Sequence, residues 1–155
     1  MGIIDRYVKN GSSKFDGYFI KFGTSSNYKK LPSSFLAESG IAVNPNQITE
    51  KDAWRNASDN ALQRKTYTQQ KTSFSFTTMD DLSEIAMNYI IHTIMKQGLV
   101  MAAQRKYHAV VWNPWDCNYQ AAADYYIPDP SFTVKRQDAN GIIYYESTTF
   151  ELIQY

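Results

Sequence analysis

Apolar residues recur along this chain with two different periods, and the places where one gives way to the other set the expected order of elements. Residues 17–22 (GYFIKF) alternate aromatic or apolar side chains with others between two glycines, which predicts a first strand. Residues 62–77 (LQRKTYTQQKTSFSFT) put Phe74 and Phe76 on one face and Lys71, Ser73 and Ser75 on the other, the pattern of a long half-exposed strand. The period then lengthens. Leu82, Ile85, Ala86, Tyr89, Ile90, Thr93 and Ile94 recur at three and four residues, which predicts a helix over 80–97 packing this stripe on a sheet of its own subunit. Thr78 offers a capping hydroxyl, Asp80 and Asp81 carboxylates for the positive end of the dipole, and Gly98 a stop. Met87 and Ile91 lie off the stripe and are expected to face a neighbouring subunit.

Beyond the helix, period 2 returns. Strands are expected over 105–112, 125–127, 132–135 and 142–150, separated by the turn Asn113-Pro114-Trp115-Asp116-Cys117-Asn118, the Pro128-Asp129-Pro130 break and the hairpin signal Asn140-Gly141. Residues 23–60 show neither period, yet carry Leu31, Phe35, Leu36, Ile41 and Val43. Too apolar for a solvated linker, this stretch predicts a long loop or arm that orders on a neighbouring copy, with those five residues as its intersubunit contacts. Strands, one helix, then strands favour a mainly β (α+β), antiparallel or β-sandwich domain with one principal helix over a parallel sheet.

Composition narrows the class. At 155 residues the chain has the length of one domain, and 43% hydrophobic against 20% charged residues is enough apolar material for a core. A formal charge of +1 makes no field for specific nucleic-acid binding or an anionic membrane, so partners are expected to be met by shape and apolar contact. Twelve Tyr, eight Phe and three Trp suit pleated strands buried on one face. No run approaches a membrane span, the first residues lack a signal peptide's apolar stretch, and Arg6 departs from the myristoylation pattern. Synthesis in the cytoplasm of a soluble protein is the expectation.

Candidate chemistry is sparse. Cys117 could act as a nucleophile with His108 as base, but nine residues separate them and no third orienting residue is evident. Asp80, Asp81 and Glu84 could pair as acid and base, although carboxylates in a first helical turn more often serve its dipole. One cysteine and two histidines are too few for the usual structural zinc site, and neither GxGxxG nor GxxxxGK occurs, so no catalytic, metal or cofactor site is expected. Asn56-Ala57-Ser58 reads as a polar loop rather than a glycosylation site. The alternative to self-assembly is a carbohydrate- or receptor-binding module built on Trp112, Trp115, Tyr119, Tyr125 and Tyr126.

Trp54-Arg55-Asn56-Ala57-Ser58, Leu62-Gln63-Arg64-Lys65, a Lys-Thr-x-Phe-x-Phe strand and Met79, Leu82 and Glu84 at a helix start follow one another in order. Tyr125-Tyr126-Ile127-Pro128-Asp129-Pro130, Asn140-Gly141-Ile142-Ile143-Tyr144-Tyr145 and Phe150-Glu151-Leu152-Ile153 come after them. Over roughly 54–155 this layout resembles the small tail proteins of siphophages and prophages of Gram-positive hosts, similar to tail-tube and distal-tail (tube-initiator) proteins. The resemblance implies a non-enzymatic structural virion protein of a long-tailed bacteriophage, made in the host cytoplasm and located in the tail. It implies an antiparallel β-sandwich or barrel of the tail-tube type flanked by one helix, and a hexameric ring around a channel open to DNA, in the tail tube or distal tail and baseplate. The implied partners are further copies of the chain and neighbouring tail proteins (tube, distal tail or hub, tape measure), with no membrane among them. Tube, terminator and initiator positions stay open.

Overall fold

A computed structural model describes residues 14–24, 26–48, 50–55, 57–66 and 70–155. The opening residues, Asn56 of the Asn-Ala-Ser triplet and the middle of the strand expected over 62–77 lie outside them. The chain begins with β1 (Ile20–Thr24), β2 (Asn27–Lys30), β3 (Leu36–Gln47), β4 (Glu50–Arg55), β5 (Leu62–Thr66) and β6 (Lys71–Thr78). Short β7 (Leu82–Ser83) leads into α1 (Glu84–Tyr89), and β8 (Leu99–Met101), β9 (Lys106–Asn113), β10 (Asn118–Tyr119) and β11 (Ala123–Tyr126) follow. β12 (Val134–Gln137), β13 (Ile143–Tyr145) and β14 (Thr149–Gln154) complete it.

The fold is mainly β, with one helical segment and a curled antiparallel sheet. The main sheet has the order β2-β1-β9-β11-β14-β6-β3, with β8 and β10 also on β9. Alternation along its strands explains the core: Phe74 and Phe76 of β6, Ala109 and Val111 of β9, and Phe150 and Leu152 of β14 are all buried. The sheet curls far enough that Phe22 on β1 meets Phe76 on β6 edge to face, 6.5 Å between centroids, although three strands separate them in the sheet. A small sheet, β12-β13-β7, lies beside it. Its hairpin is the Asn140-Gly141 turn the sequence predicts: Gly141 has φ +82°, and the Asp138 carboxylate accepts from the backbone N–H groups of Asn140 and Ile142.

The helix differs in start and in facing. Ser83, not Thr78, caps it, its hydroxyl accepting from the Ala86 N–H, and α1 passes into a π-turn over Ile90–Ile94 and a 3₁₀ turn over Met95–Gly98. With the helix starting at Glu84, Met87, Ile90 and Ile94 share one face, so the buried set is Leu82, Met87, Ile90, Ile94 and Met95, and Ile91 is partly buried against it. Met87 therefore faces this subunit's own core, against the expectation. Ile85, expected in the buried stripe, is 65% exposed, and Tyr89 is also exposed. Asp80 and Asp81 do not serve the dipole: they pair with Lys135 and Arg136 on β12, the latter through two bonds of 2.9 Å.

Residues 23–60 are not a structureless arm. β3 pairs with β6 and forms one margin of the main sheet, Leu31 is fully buried, and Phe35, Leu36, Ile41 and Val43 pack against the core. Of the five residues expected as intersubunit contacts, Leu31 is thus buried within the subunit, and the other four are only partly covered by its core. Bulges between Leu36 and Ile41 and between Asn44 and Gln47, with Ser39 and Asn46 at positive φ, break the period-2 pattern that would have revealed the strand. Pro45 is tolerated because one edge of β3 has no strand partner among the described residues.

Among the described residues, one core polar group has no partner. Tyr125 is fully buried, its hydroxyl makes no hydrogen bond to any of them, and burial pushes its pKa up to about 12. Tyr125→Phe removes an unsatisfied donor without changing shape, so urea denaturation should show unchanged or raised stability, by up to about 1–2 kcal/mol. A loss of that size instead would reveal a partner for the hydroxyl.

Candidate functional site

Three surface features stand out among the described residues. The first is a two-stranded ribbon. β3 and β6 pair as far as Gln47 and Lys71, and beyond that point the chain continues as β4 and β5, from Glu50 opposite Thr66 to Arg55 opposite Leu62. Among the described residues β4 and β5 pair only with each other. Trp54 (43% exposed) and Leu62 (53%) stand open on it, with Ile48 exposed at its base. Lys65 covers one face of the Trp54 ring at 5.8 Å, and Arg55 ties the turn by donating to the Asn60 carbonyl at 3.2 Å. A two-stranded ribbon by itself is only marginally stable in water.

The second feature is a groove of about 490 Å³ at the seam where β3 curls round toward β1 and β9. Leu36, Ile41 and Val43 line one side, Phe19, Trp112 and Pro114 the other. At one end the seam is drawn together by Asn113, whose amide donates to Asn46 Oδ1 at 3.3 Å. Its rim is held by a polar clamp. The Asp16 carboxylate meets Lys21 Nζ at 2.6 Å, accepts from the Tyr119 hydroxyl, and takes the Tyr18 N–H at 3.2 Å. Desolvation opposes the charge there, yet these bonds outweigh it and hold the carboxyl well below its ordinary range. Burial, with Asp16 beside it, pushes the Tyr119 hydroxyl up to about 12. The third feature is a groove of about 510 Å³ beside α1, lined by Ile85, Asn88, Ile91, His92, Phe132 and Tyr145.

The residues proposed for chemistry or ligand binding do not converge. His108 lies within β9, its Nδ1 2.9 Å from Asp124 Oδ1 across the β9–β11 pair. Cys117 sits exposed in the turn past the end of β9 at Asn113, and five residues of strand alone span about 17 Å. The aromatic series is split by alternation: Tyr125 belongs to the core, Tyr126 turns outward against Tyr155, and Trp112 packs on Tyr119 and Phe15. Trp115 projects alone, 80% exposed, from a turn fixed by its N–H bond to Asn113 Oδ1. Among the described residues no three His, Cys, Asp or Glu side chains gather as a metal site, and no helix is long and apolar enough to cross a membrane.

The ribbon is the feature that sequence reading missed. Its signal was present in Trp54 and Leu62 flanking the Asn-Ala-Ser-Asp-Asn turn, two apolar residues in otherwise polar strands. None of the curated proteins matches the sequence. Residues 13–155 match the profile of DUF6711, described as a family of unknown function, and the chain belongs to that family.

Proposed function

We propose that the protein is a structural subunit that assembles with copies of itself, and that its setting is the tail of a long-tailed bacteriophage, as a ring in the tube or distal tail. The observation that carries the reading is the β4–β5 ribbon, which extends past the main sheet with Trp54 and Leu62 uncovered. Within and just beyond the arm expected over 23–60, the intersubunit role thereby falls to residues 50–66. A ribbon of this kind gains stability by lying on another surface, and aromatic anchors such as Trp are the residues that carry interface energy. One ribbon per subunit, docked on a different face of the next copy, is a head-to-tail contact, which closes into a ring or continues as a tube. The curled antiparallel sheet with one flanking helical segment is compatible with the tail-tube type of sandwich, and the phage setting rests on the ordered sequence resemblance over roughly 54–155.

Native mass spectrometry tests the reading. The expected result is a closed oligomer, six copies being the expected number, and its loss in Trp54→Ser with Leu62→Ser while the far-UV spectrum is unchanged. Trp54 is expected to contribute about 2 kcal/mol or more, roughly thirtyfold in affinity per interface, and Leu62, on the opposite face of the ribbon, less. A wild-type protein that stays monomeric at its highest soluble concentration refutes self-assembly. Assembly that survives the double substitution moves the interface off the ribbon.

A further inference from the structure

We infer that the groove beside α1 is the seat of the β4–β5 ribbon of a second copy of this chain, with Trp54 as the inserted side chain. The inference rests on the assembly reading and names the surface that receives the ribbon. The groove, of about 510 Å³, is apolar where it is open: Ile85 is 65% exposed and Phe132 41%, with Ile91 and Tyr145 completing its walls. Those walls are set before anything docks. The Phe132 ring packs at 5.9 Å on Tyr145 and at 6.1 Å on Phe150 of the main sheet. A preformed apolar cleft with a polar rim, here Glu84, Asn88 and His92, marks an interaction site.

Position and charge together make a second copy's ribbon the occupant. β6 begins at Lys71, next to the ribbon, and ends at Thr78, after which residues 79–83 lead into α1. Its eight residues span about 25 Å, so ribbon and groove belong to opposite ends of one strand. A copy displaced along that direction brings one subunit's ribbon to the next subunit's groove, and the same contact repeats from copy to copy. The charges match. Residues 54–65 carry Arg55, Arg64 and Lys65 against Asp59, a net charge of +2. In residues 79–92 and 132–146, which build the groove and the small sheet, Asp80 and Asp81 pair with Lys135 and Arg136. Glu84, Asp138 and Glu146 then give this face a net charge of −3, with His92 neutral. Lys65 shares Trp54's face of the ribbon, its ammonium 5.8 Å from the ring, and so arrives at the rim that holds Glu84. Exposed charges of this kind steer and orient the encounter, while the indole supplies affinity. Around the seam groove Lys21 and Lys30 offset Asp16 and Glu38, so it offers the ribbon no such match.

Native mass spectrometry over a concentration series decides it, with Ile85→Arg in the groove and Ser33→Arg at the seam-groove rim as the comparison. Both positions are exposed, so each variant should keep the far-UV spectrum and melting temperature of the wild type. Ile85→Arg is expected to raise the concentration for half-assembly at least about tenfold, by setting a cation against the incoming ribbon, and Ser33→Arg to leave it within about twofold. Should Ile85→Arg lower the melting temperature, Asn88→Arg, exposed on the same wall, replaces it. Photo-cross-linking reads the occupant. With Cys117→Ser removing the native thiol, Gln63→Cys, opposite Trp54 in the ladder, carries benzophenone maleimide in isotope-labelled copies mixed with unlabelled ones. The expected link joins the benzophenone to residues 84–92 or 132–145 of a second copy. A wild type that stays monomeric sinks the assembly reading and this seat together. A wild type that assembles, with Ile85→Arg assembling equally well, keeps the assembly reading and overturns the seat, as does a benzophenone that links only to other stretches.

Discussion

Phe76→Ala is expected to lower the stability of the subunit by about 3–5 kcal/mol, the largest single loss from a core truncation here. Phe76 is fully buried on β6 and is the point where the curled sheet closes on itself. Its ring stacks on Phe150 of β14 at 5.1 Å, meets Phe22 of β1 across the interior at 6.5 Å, and stands opposite Ile41 of β3 in the ladder. Deleting it removes the transfer free energy of a large ring and leaves a cavity bounded by strands that hydrogen bonds prevent from collapsing inward. Urea denaturation measures the loss. Ser75→Ala, on the other face of the same strand, should stay within about 0.5 kcal/mol. A loss below about 1 kcal/mol for Phe76→Ala would mean that the sheet does not curl over this residue.

Gly98→Ala should be nearly as costly, at about 3 kcal/mol or more, for a reason unrelated to hydrophobicity. A Cβ built at Gly98 would lie 2.3 Å from the His108 carbonyl oxygen and 3.0 Å from the Gly23 nitrogen, both backbone atoms that cannot rotate away. The close of the helical segment is pressed against β1 and β9 at this point, so any side chain must lift it off the sheet. Gly98 does not have positive φ, and its hydrogen is needed for space rather than for a left-handed stop. Lys96→Ala, two residues away and exposed, is the control and should change stability by no more than about 0.5 kcal/mol. Thermal unfolding of the two variants checks the contrast, and equal melting temperatures would disprove the close packing.

Local chemistry that depends only on neighbouring residues was legible in the sequence. The strand over 105–112 lies within one residue of β9, because its alternation is unbroken, and the Asn140-Gly141 turn forms as its residue types require. Phe74 and Phe76 face inward as their spacing says. The helical segment occupies 84–98, inside or beside the expected span, but its buried face was not legible. The positions that depart, Ile85, Met87 and Tyr89, follow a helix start at Ser83 behind β7, which pairs with β13, a tertiary contact that periodicity does not encode.

The apolar residues of 31–43 show the same limit more sharply. The sequence by itself determined that they must be covered, because five apolar side chains cannot remain in water at no cost. It could not determine by what. Only the tertiary structure brought β3 beside β6, through a register interrupted by two bulges that hide the alternation, and so packed Ile41 and Val43 partly against the subunit's own core. The same pairing carried Trp54 and Leu62 outward on the ribbon, residues that no local pattern separates from core positions. Burial is a property of the closed sheet as a whole, set by which strands meet across it, whereas turns and alternation belong to a few consecutive residues.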